Sequence, residues 1–309
     1  MKKLLFPFLL LCVLIISACS NKTAENDSAA KADENVNKTE TTTYQSENGP
    51  IEVPAHPKRV IVLSSFAGNV MALDVNLVGV DSWSKMNPRF DSKLKDVAEV
   101  SDESLEKIIE LDPDLIIGLS NIKNIDKLND IAPTVTYTYG KVDYLTQHLE
   151  IGKLLNKEKE AQAWIDDFKK RAQTAGDEIK AKIGADATVS VIENFDKQLY
   201  VYGDNWGRGT EILYQEMELN MPEKVKETAL IDGYYALSLE VLPEFAGDYL
   251  IISKNSETDN SFQETDTYKN IPAVQNNHVY EANMKEFYFN DPITLDFQLD
   301  FFKKSFLGN

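Results

Sequence analysis

The chain has 309 residues, 43% of them apolar, which supplies real cores and excludes a disordered or fibrous protein. Its 50 acidic residues outweigh 32 Lys and Arg, and the net charge of −18 argues against nucleic-acid binding and describes a self-repelling, soluble surface. The two cysteines, Cys12 and Cys19, both lie near the N-terminus, so the rest of the chain can form neither an internal disulfide nor a zinc–thiolate site.

Lys2 and Lys3 precede an apolar run from Leu4 to Ala18. That is a charged region followed by a hydrophobic one too short for an ordinary membrane span of about 20 residues. The run ends Ile16-Ser17-Ala18-Cys19, which resembles the bacterial lipobox. The resemblance implies a signal peptide over residues 1–18 and a lipid, palmitate among its chains, on Cys19. The alternative is an uncleaved anchor with an incidental cysteine. From Ser20 to Thr43 the only apolar residues are alanines and one valine, too few to fold, so residues 19–45 read as a tether. These segments place the protein at the extracytoplasmic face of the cell membrane.

Residues 46–156 read as a first α/β lobe. Pro50, Pro54 and Pro57 crowd its start, which predicts an edge strand or hairpin. Arg59 to Leu63, Leu77 to Val80, Asp114 to Gly118 and Val135 to Tyr137 are short apolar runs expected as buried strands. Helical segments fall between them, at Phe66 to Leu73, Leu105 to Leu111 and Ile125 to Asn129. Alternation of this kind implies a mainly parallel sheet.

From Asp143 to Ile183 apolar residues recur at three-to-four spacing without a strand signal, so residues 157–184 are expected to form a connecting helix. Strand–helix alternation resumes in a second lobe, residues 185–309. Residues 104–117 (SLEKIIELDPDLII) and 238–251 (SLEVLPEFAGDYLI) align without gaps. Each reads as a serine N-cap, a first-turn glutamate, a short helix and an Asp-led strand, which suggests duplicated architecture. The expected fold is therefore α/β: two Rossmann-like lobes joined by a long helix, with a ligand cleft between them.

The stretch richest in binding chemistry is residues 200–209, YVYGDNWGRG, between a strand-like run at Thr188 to Glu193 and a helix-like run at Glu211 to Met217. Trp206 and the tyrosines offer flat apolar surface with polar edges, and Arg208 offers a planar fork of donors for oxygen acceptors. Its glycines read as turns and as clearance for a bulky ligand. Trp83 follows a strand-like run, and it is either a cleft-wall ring or a surface loop aromatic.

Lipobox, tether, two lobes and connecting helix, together with YVYGDNWGRG and NDPITLDF (residues 290–297), resemble the ferric-hydroxamate-binding, FhuD-like lipoproteins of Gram-positive ABC importers over most of residues 44–307. The resemblance implies ligand contacts at Trp206, Arg208, Tyr200, Tyr288 and Tyr139. It also implies docking to a permease, with its ATPase, through Glu106 and Glu240. By residue type alone, each glutamate is simply a first-turn acid favouring a helix dipole. Relatives also carry an aromatic where this chain has Leu119, a departure that bears on ligand preference. Asp291-Pro292 reads as an N-cap followed by proline at the first helical position.

A ferric tris-hydroxamate is close to neutral at its iron centre and presents a rim of oxygens with apolar linkers. One arginine and several rings match that shape. A trianionic tris-catecholate calls for several cations, and only Arg208, with Lys285 near in sequence, is at hand. Haem calls for an axial ligand, whereas His56, His148 and His278 stand isolated and His148 lies on an apolar helix stripe. The protein is expected to touch the chelate and not the metal, to carry no cofactor and no catalytic residues, and to be monomeric. The competing readings are a binder of catecholate, citrate, haem or another anion held at Gly207-Arg208-Gly209, and an exported α/β hydrolase using Ser64-Ser65. The last lacks a G-x-S-x-G elbow, and no nucleotide-binding motif is present.

Overall fold

The computed structural model describes residues 40–308. The expected signal peptide, Cys19 and the expected tether up to residue 39 lie outside the described residues. No described helix is long and apolar enough to cross a membrane.

Regular structure begins before residue 45, within the stretch read from its composition as a tether. Strand β1 (Thr41–Ser46) pairs antiparallel with β2 (Gly49–Pro54), and Tyr44 reaches into the first core, where its hydroxyl meets that of Tyr137 at 3.1 Å. A single buried tyrosine thus anchors an otherwise polar strand that composition alone reads as unfolded.

The first lobe is built on a five-stranded sheet of order β5-β4-β3-β6-β7. Its strands are β3 (Val60–Val62), β4 (Leu77–Val80), β5 (Ala98–Glu99), β6 (Leu115–Leu119) and β7 (Thr134–Tyr137). All its pairings are parallel. Parallel strands are covered on both faces, so β3 and the first residues of β6 are fully buried. Val60 and Val62 enter one core, while Ile61 enters the core on the other face, as two-residue periodicity requires.

The second lobe has β8 (Val189–Phe195), β9 (Gln198–Tyr202), β10 (Tyr234–Leu237), β11 (Tyr249–Lys254) and β12 (Val279–Asn283) in the order β10-β9-β8-β11-β12. The first strand of each sheet thus sits centrally, with the second and third on one side and the fourth and fifth on the other. The lobes differ in one direction: β9 runs antiparallel to β8, because Asp196 and Lys197, both at positive φ, turn the chain straight back.

The repeated segments lead into β6 and β11, the fourth strand of each sheet. They diverge in detail. Ser104 and Ser238 occupy N-cap positions, but neither side chain bonds a helix amide. The second copy, with Pro243 inside it, splits into a 3₁₀ turn, Leu239–Val241, and a short helix, Leu242–Phe245.

The two sheets are connected by helices Tyr144–Leu154 and Glu158–Ile183. Ala161, Ile165, Phe168, Ala172, Ala175 and Ile179 form the buried stripe of the second. At about 1.5 Å per residue, its 26 residues extend roughly 39 Å, a stiff strut. The run at Glu211–Glu216 is a π-type turn and not the α-helix expected from its pattern: Met217 N donates to Ile212 O at 2.8 Å, one residue beyond α-helical register. The C-terminal helix, Pro292–Leu307, is capped by Asp291, which accepts from Ile293 N and Thr294 N. It buries Leu295, Leu299, Phe302 and Phe306 in the second lobe.

Candidate ligand cleft

The parallel strands of the first lobe end on one edge of the sheet, and its order reverses between β3 and β6. Side chains beyond strand ends at such a reversal face a crevice. Ser64 and Ser65 follow β3, Asp81 and Trp83 follow β4, and Leu119 closes β6. Opposite them stand Phe195, Tyr200 and Tyr202 of the β8–β9 hairpin, Tyr234 of β10, and Trp206, Arg208 and Tyr288 from loops. Together they line a cleft of about 610 Å³.

All six sequence-predicted contact residues, Trp83, Tyr139, Tyr200, Trp206, Arg208 and Tyr288, line this cleft. Trp83 is therefore a cleft-wall ring, 47% exposed. Two edge-to-face pairs cross from lobe to lobe, Trp83 with Tyr288 at 5.4 Å and Tyr139 with Trp206 at 5.6 Å. Trp206 continues to Tyr234 at 5.1 Å, and Tyr234 to Tyr200 at 5.9 Å. The result is an apolar wall of rings with open faces.

Arg208 sits at the polar end of this wall. Its guanidinium carbon lies 4.6 Å from the ring centres of both Tyr202 and Tyr288. Nε donates to Glu193 Oε2 at 3.2 Å, Nη2 to Glu193 Oε1 at 2.9 Å and Nη1 to the Trp206 carbonyl at 3.2 Å. Three of the five N–H bonds of an arginine are thus committed, and two remain for a ligand. Burial works against the charge of Arg208, but its bonds and attraction to Glu193 prevail and hold its pKa above the ordinary value. Burial likewise raises the Tyr202 and Tyr288 phenols above their usual range, keeping both neutral.

The Gly207-Arg208-Gly209 segment departs from its sequence pattern in two ways. The competing anion site at Gly207-Arg208-Gly209 has two of its three backbone N–H groups already committed: Gly207 N donates to Glu211 Oε1 at 2.9 Å and Arg208 N to Phe287 O at 2.6 Å. Nor do these glycines make room for a ligand. A Cβ on Gly207 would lie 2.5 Å from the Tyr288 carbonyl, and one on Gly209 2.5 Å from the Phe302 ring, and both residues have positive φ. They let the loop pack onto the protein's own C-terminal segment.

Glu193 is not marked by the sequence pattern as a site residue because it stands in a buried strand, 15 positions from its partner. The available signal was an acid inside an apolar run, which demands a cation nearby. Tyr202, although inside residues 200–209, and Tyr234, Phe195 and Phe289 likewise line the cleft without a distinguishing sequence signal. Lys285 is no second cation of the cleft, since it pairs with Glu257 at 3.0 Å. Ser64 Oγ accepts from Leu119 N at 3.0 Å, and no described histidine lines the cleft to activate Ser64 or Ser65. His148 is a core residue, its Nδ1 3.0 Å from Asn69 Oδ1, and burial lowers its pKa to about 4. Trp164 packs on Phe168 at 4.8 Å. Among the described residues, no group of three or more His, Cys, Asp or Glu is arranged to hold a metal ion.

Glu106 and Glu240 are exposed, and neither forms an ion pair among the described residues. Each stands in the turn ahead of the fourth strand of its lobe, so the two occupy equivalent places.

A family model described as periplasmic binding protein matches residues 62–285. The iron(3+)-hydroxamate-binding protein FhuD of Bacillus subtilis (strain 168) is 37% identical to this chain, with 96% of this chain and 95% of that protein covered. The iron(3+)-hydroxamate-binding protein YxeB of the same organism is 38% identical, with 97% and 95% covered. Among solved structures, the FhuD protein from S. pseudintermedius superposes with a TM-score of 0.79 at 36% identity, covering 88% of this chain and 99% of that one. FhuD2 from Staphylococcus aureus with bound ferrioxamine B gives 0.78 at 35% identity, covering 82% and 99%.

Proposed function

Since this chain belongs to the periplasmic binding protein family, we propose that it is the substrate-binding protein of an iron-siderophore ABC importer and captures ferric hydroxamates. The observation that carries this reading is a ring-walled cleft of about 610 Å³ whose polar end is one arginine with two uncommitted N–H bonds. The rings of Trp206, Tyr200 and Tyr288 pack the apolar linkers, Tyr139 and Trp83 close the opposite side, and Arg208 donates to the oxygen rim. Relatives named for iron(3+)-hydroxamate binding, similar over nearly the whole chain, support the same assignment.

Trp83 and Trp206 make the test direct, because a ferric chelate in van der Waals contact quenches indole fluorescence. Ferrichrome and ferrioxamine B are expected to quench at far lower concentration than ferric catecholate, ferric citrate or haem. A preference for any of the last three overturns the assignment.

The delivery step uses Glu106 and Glu240, one on each lobe, as acidic contacts for basic residues of the permease. Residues 1–18 act as a signal peptide and Cys19 carries the lipid that holds the monomeric protein at the extracytoplasmic face. Replacing Cys19 with alanine should release the protein into the medium, and retention in the membrane would refute the anchor. With residues 157–184 as a stiff connector between lobes 46–156 and 185–309, closure on the ligand is small; a wide rotation between free and bound forms in solution scattering would contradict it. The chelate is released unchanged.

A further inference from the structure

Glu193 lies in β8 with no exposed side-chain surface. Both of its oxygens are doubly satisfied. Oε1 accepts from Arg208 Nη2 at 2.9 Å and from the Tyr202 hydroxyl at 3.3 Å. Oε2 accepts from Arg208 Nε at 3.2 Å and from Ser253 Oγ. Three elements, β8, β9 and β11, are thus used to hold one carboxylate against the guanidinium that faces the ligand. Burying a carboxylate is costly, and Arg208 could be oriented by neutral acceptors or by its two tyrosine rings alone. The charge itself is what a neutral acceptor would not supply.

Among the described residues, the cleft lining holds no other cation. Its one further ionisable acid is Asp81, which is buried, accepts from Ser84 Oγ at 2.5 Å, and has a pKa raised by that burial. A ligand entering the cleft therefore meets a hydrogen-bonding arginine whose positive charge is cancelled from behind. Such a surface can donate to oxygens, yet it cannot repay the desolvation of a highly charged anion.

We infer that Glu193 is the charge-selectivity determinant of the cleft: by neutralising Arg208 it restricts the site to chelates with no net charge at the metal centre and excludes trianionic ones. The inference rests on the reading of the cleft as a ferric-hydroxamate site. It adds that rejection of catecholates is built by a named buried residue and is not merely a shortage of lysines. Tyr202 and Ser253 are positioning residues that act through Glu193.

The experiment titrates the wild-type protein and Glu193→Gln with ferrichrome, a neutral ferric tris-hydroxamate, and with ferric enterobactin, a trianionic tris-catecholate. Glutamine keeps the shape and one acceptor but removes the charge. In the variant the ratio of the two affinities should shift towards the catecholate by about tenfold or more, and the gain should fade between about 50 mM and about 500 mM salt. An unchanged ratio, with both affinities falling together, reduces Glu193 to a structural support and overturns the inference. Should the variant fail to fold, as read by its thermal melt, the wild-type protein decides. Ferric enterobactin binding that stays weak over the same salt range supports a neutral site, and affinity that is strong at low salt and falls steeply as salt rises overturns it. Failure of the functional reading shows separately, as absence of any ferrichrome binding to the wild-type protein.

Discussion

Gly68, in the first helix of the N-terminal lobe, lies directly against the carboxyl of Asp291, so that a Cβ at position 68 would overlap it. Asp291 is fully engaged there: Oδ1 accepts from Ile293 N at 3.0 Å and Thr294 N at 3.2 Å, and Oδ2 from Thr294 Oγ1 at 2.7 Å. The cap of the C-terminal helix is thus also a contact between lobes, reinforced by Asn87 Nδ2, which donates to Thr294 Oγ1 at 3.3 Å. Gly68→Ala should force the cap away from its helix and cost about 1–3 kcal/mol of stability. Denaturant titration at neutral pH checks this, and a midpoint equal to wild type would show that the two lobes part here without strain.

The same carboxyl predicts a pH dependence. Burial raises the Asp291 pKa from 3.8 to about 6. Between those values the folded protein holds a proton that the unfolded chain has lost, so folding is favoured by this group at low pH and the contribution is lost as pH rises through about 6. Asp291→Asn keeps a good N-cap and removes the titration. The stability difference between wild type and this variant should move against the wild type by on the order of 2–3 kcal/mol from about pH 4 to about pH 6.5. Parallel stability curves over that range would mean that Asp291 titrates normally.

Arg208→Ala should weaken ferrichrome binding by about 1.5–3 kcal/mol, the worth of charge-assisted hydrogen bonds. It should also lower stability by roughly 3–5 kcal/mol, because Glu193 is left buried without its partner. Replacing Arg208 and Glu193 together by methionine should recover most of the stability and none of the binding. Titration and denaturant unfolding on the same samples separate the two effects, and unchanged affinity in Arg208→Ala would remove the arginine from the site.

Glu106→Ala combined with Glu240→Ala should leave ferrichrome affinity and the melting temperature as they are, since both side chains are exposed and form no ion pair among the described residues. Uptake of labelled ferrichrome by cells carrying only this variant should fall severalfold. Normal uptake would remove both glutamates from the permease contact.

Much of the architecture was legible because parallel strands buried on both faces are written as short apolar runs. Those at Val60–Val62, Leu77–Val80, Leu115–Leu119 and Thr134–Tyr137 lie within or beside the segments read from the pattern. The strut at Glu158–Ile183 was legible for the same reason, as a stripe at helical spacing. Elements whose shape depends on a distant neighbour were not. Thr41–Ser46 is polar and is anchored as a strand by Tyr44, whose hydroxyl meets that of Tyr137, 93 positions away, and the residues after Thr210 take π geometry where an α-helix was expected.

Residues 200–209 carry the same division. Their composition by itself determined that rings, a planar cation and turns would gather at one place, since those properties belong to the residues wherever they stand. Only the tertiary structure decided that the turns at Gly207 and Gly209 serve contact with Tyr288 and Phe302, and that Arg208 arrives already balanced by Glu193. Electrostatic energy depends on distance in space and on exclusion of water, and neither is written in the spacing of residues along a chain.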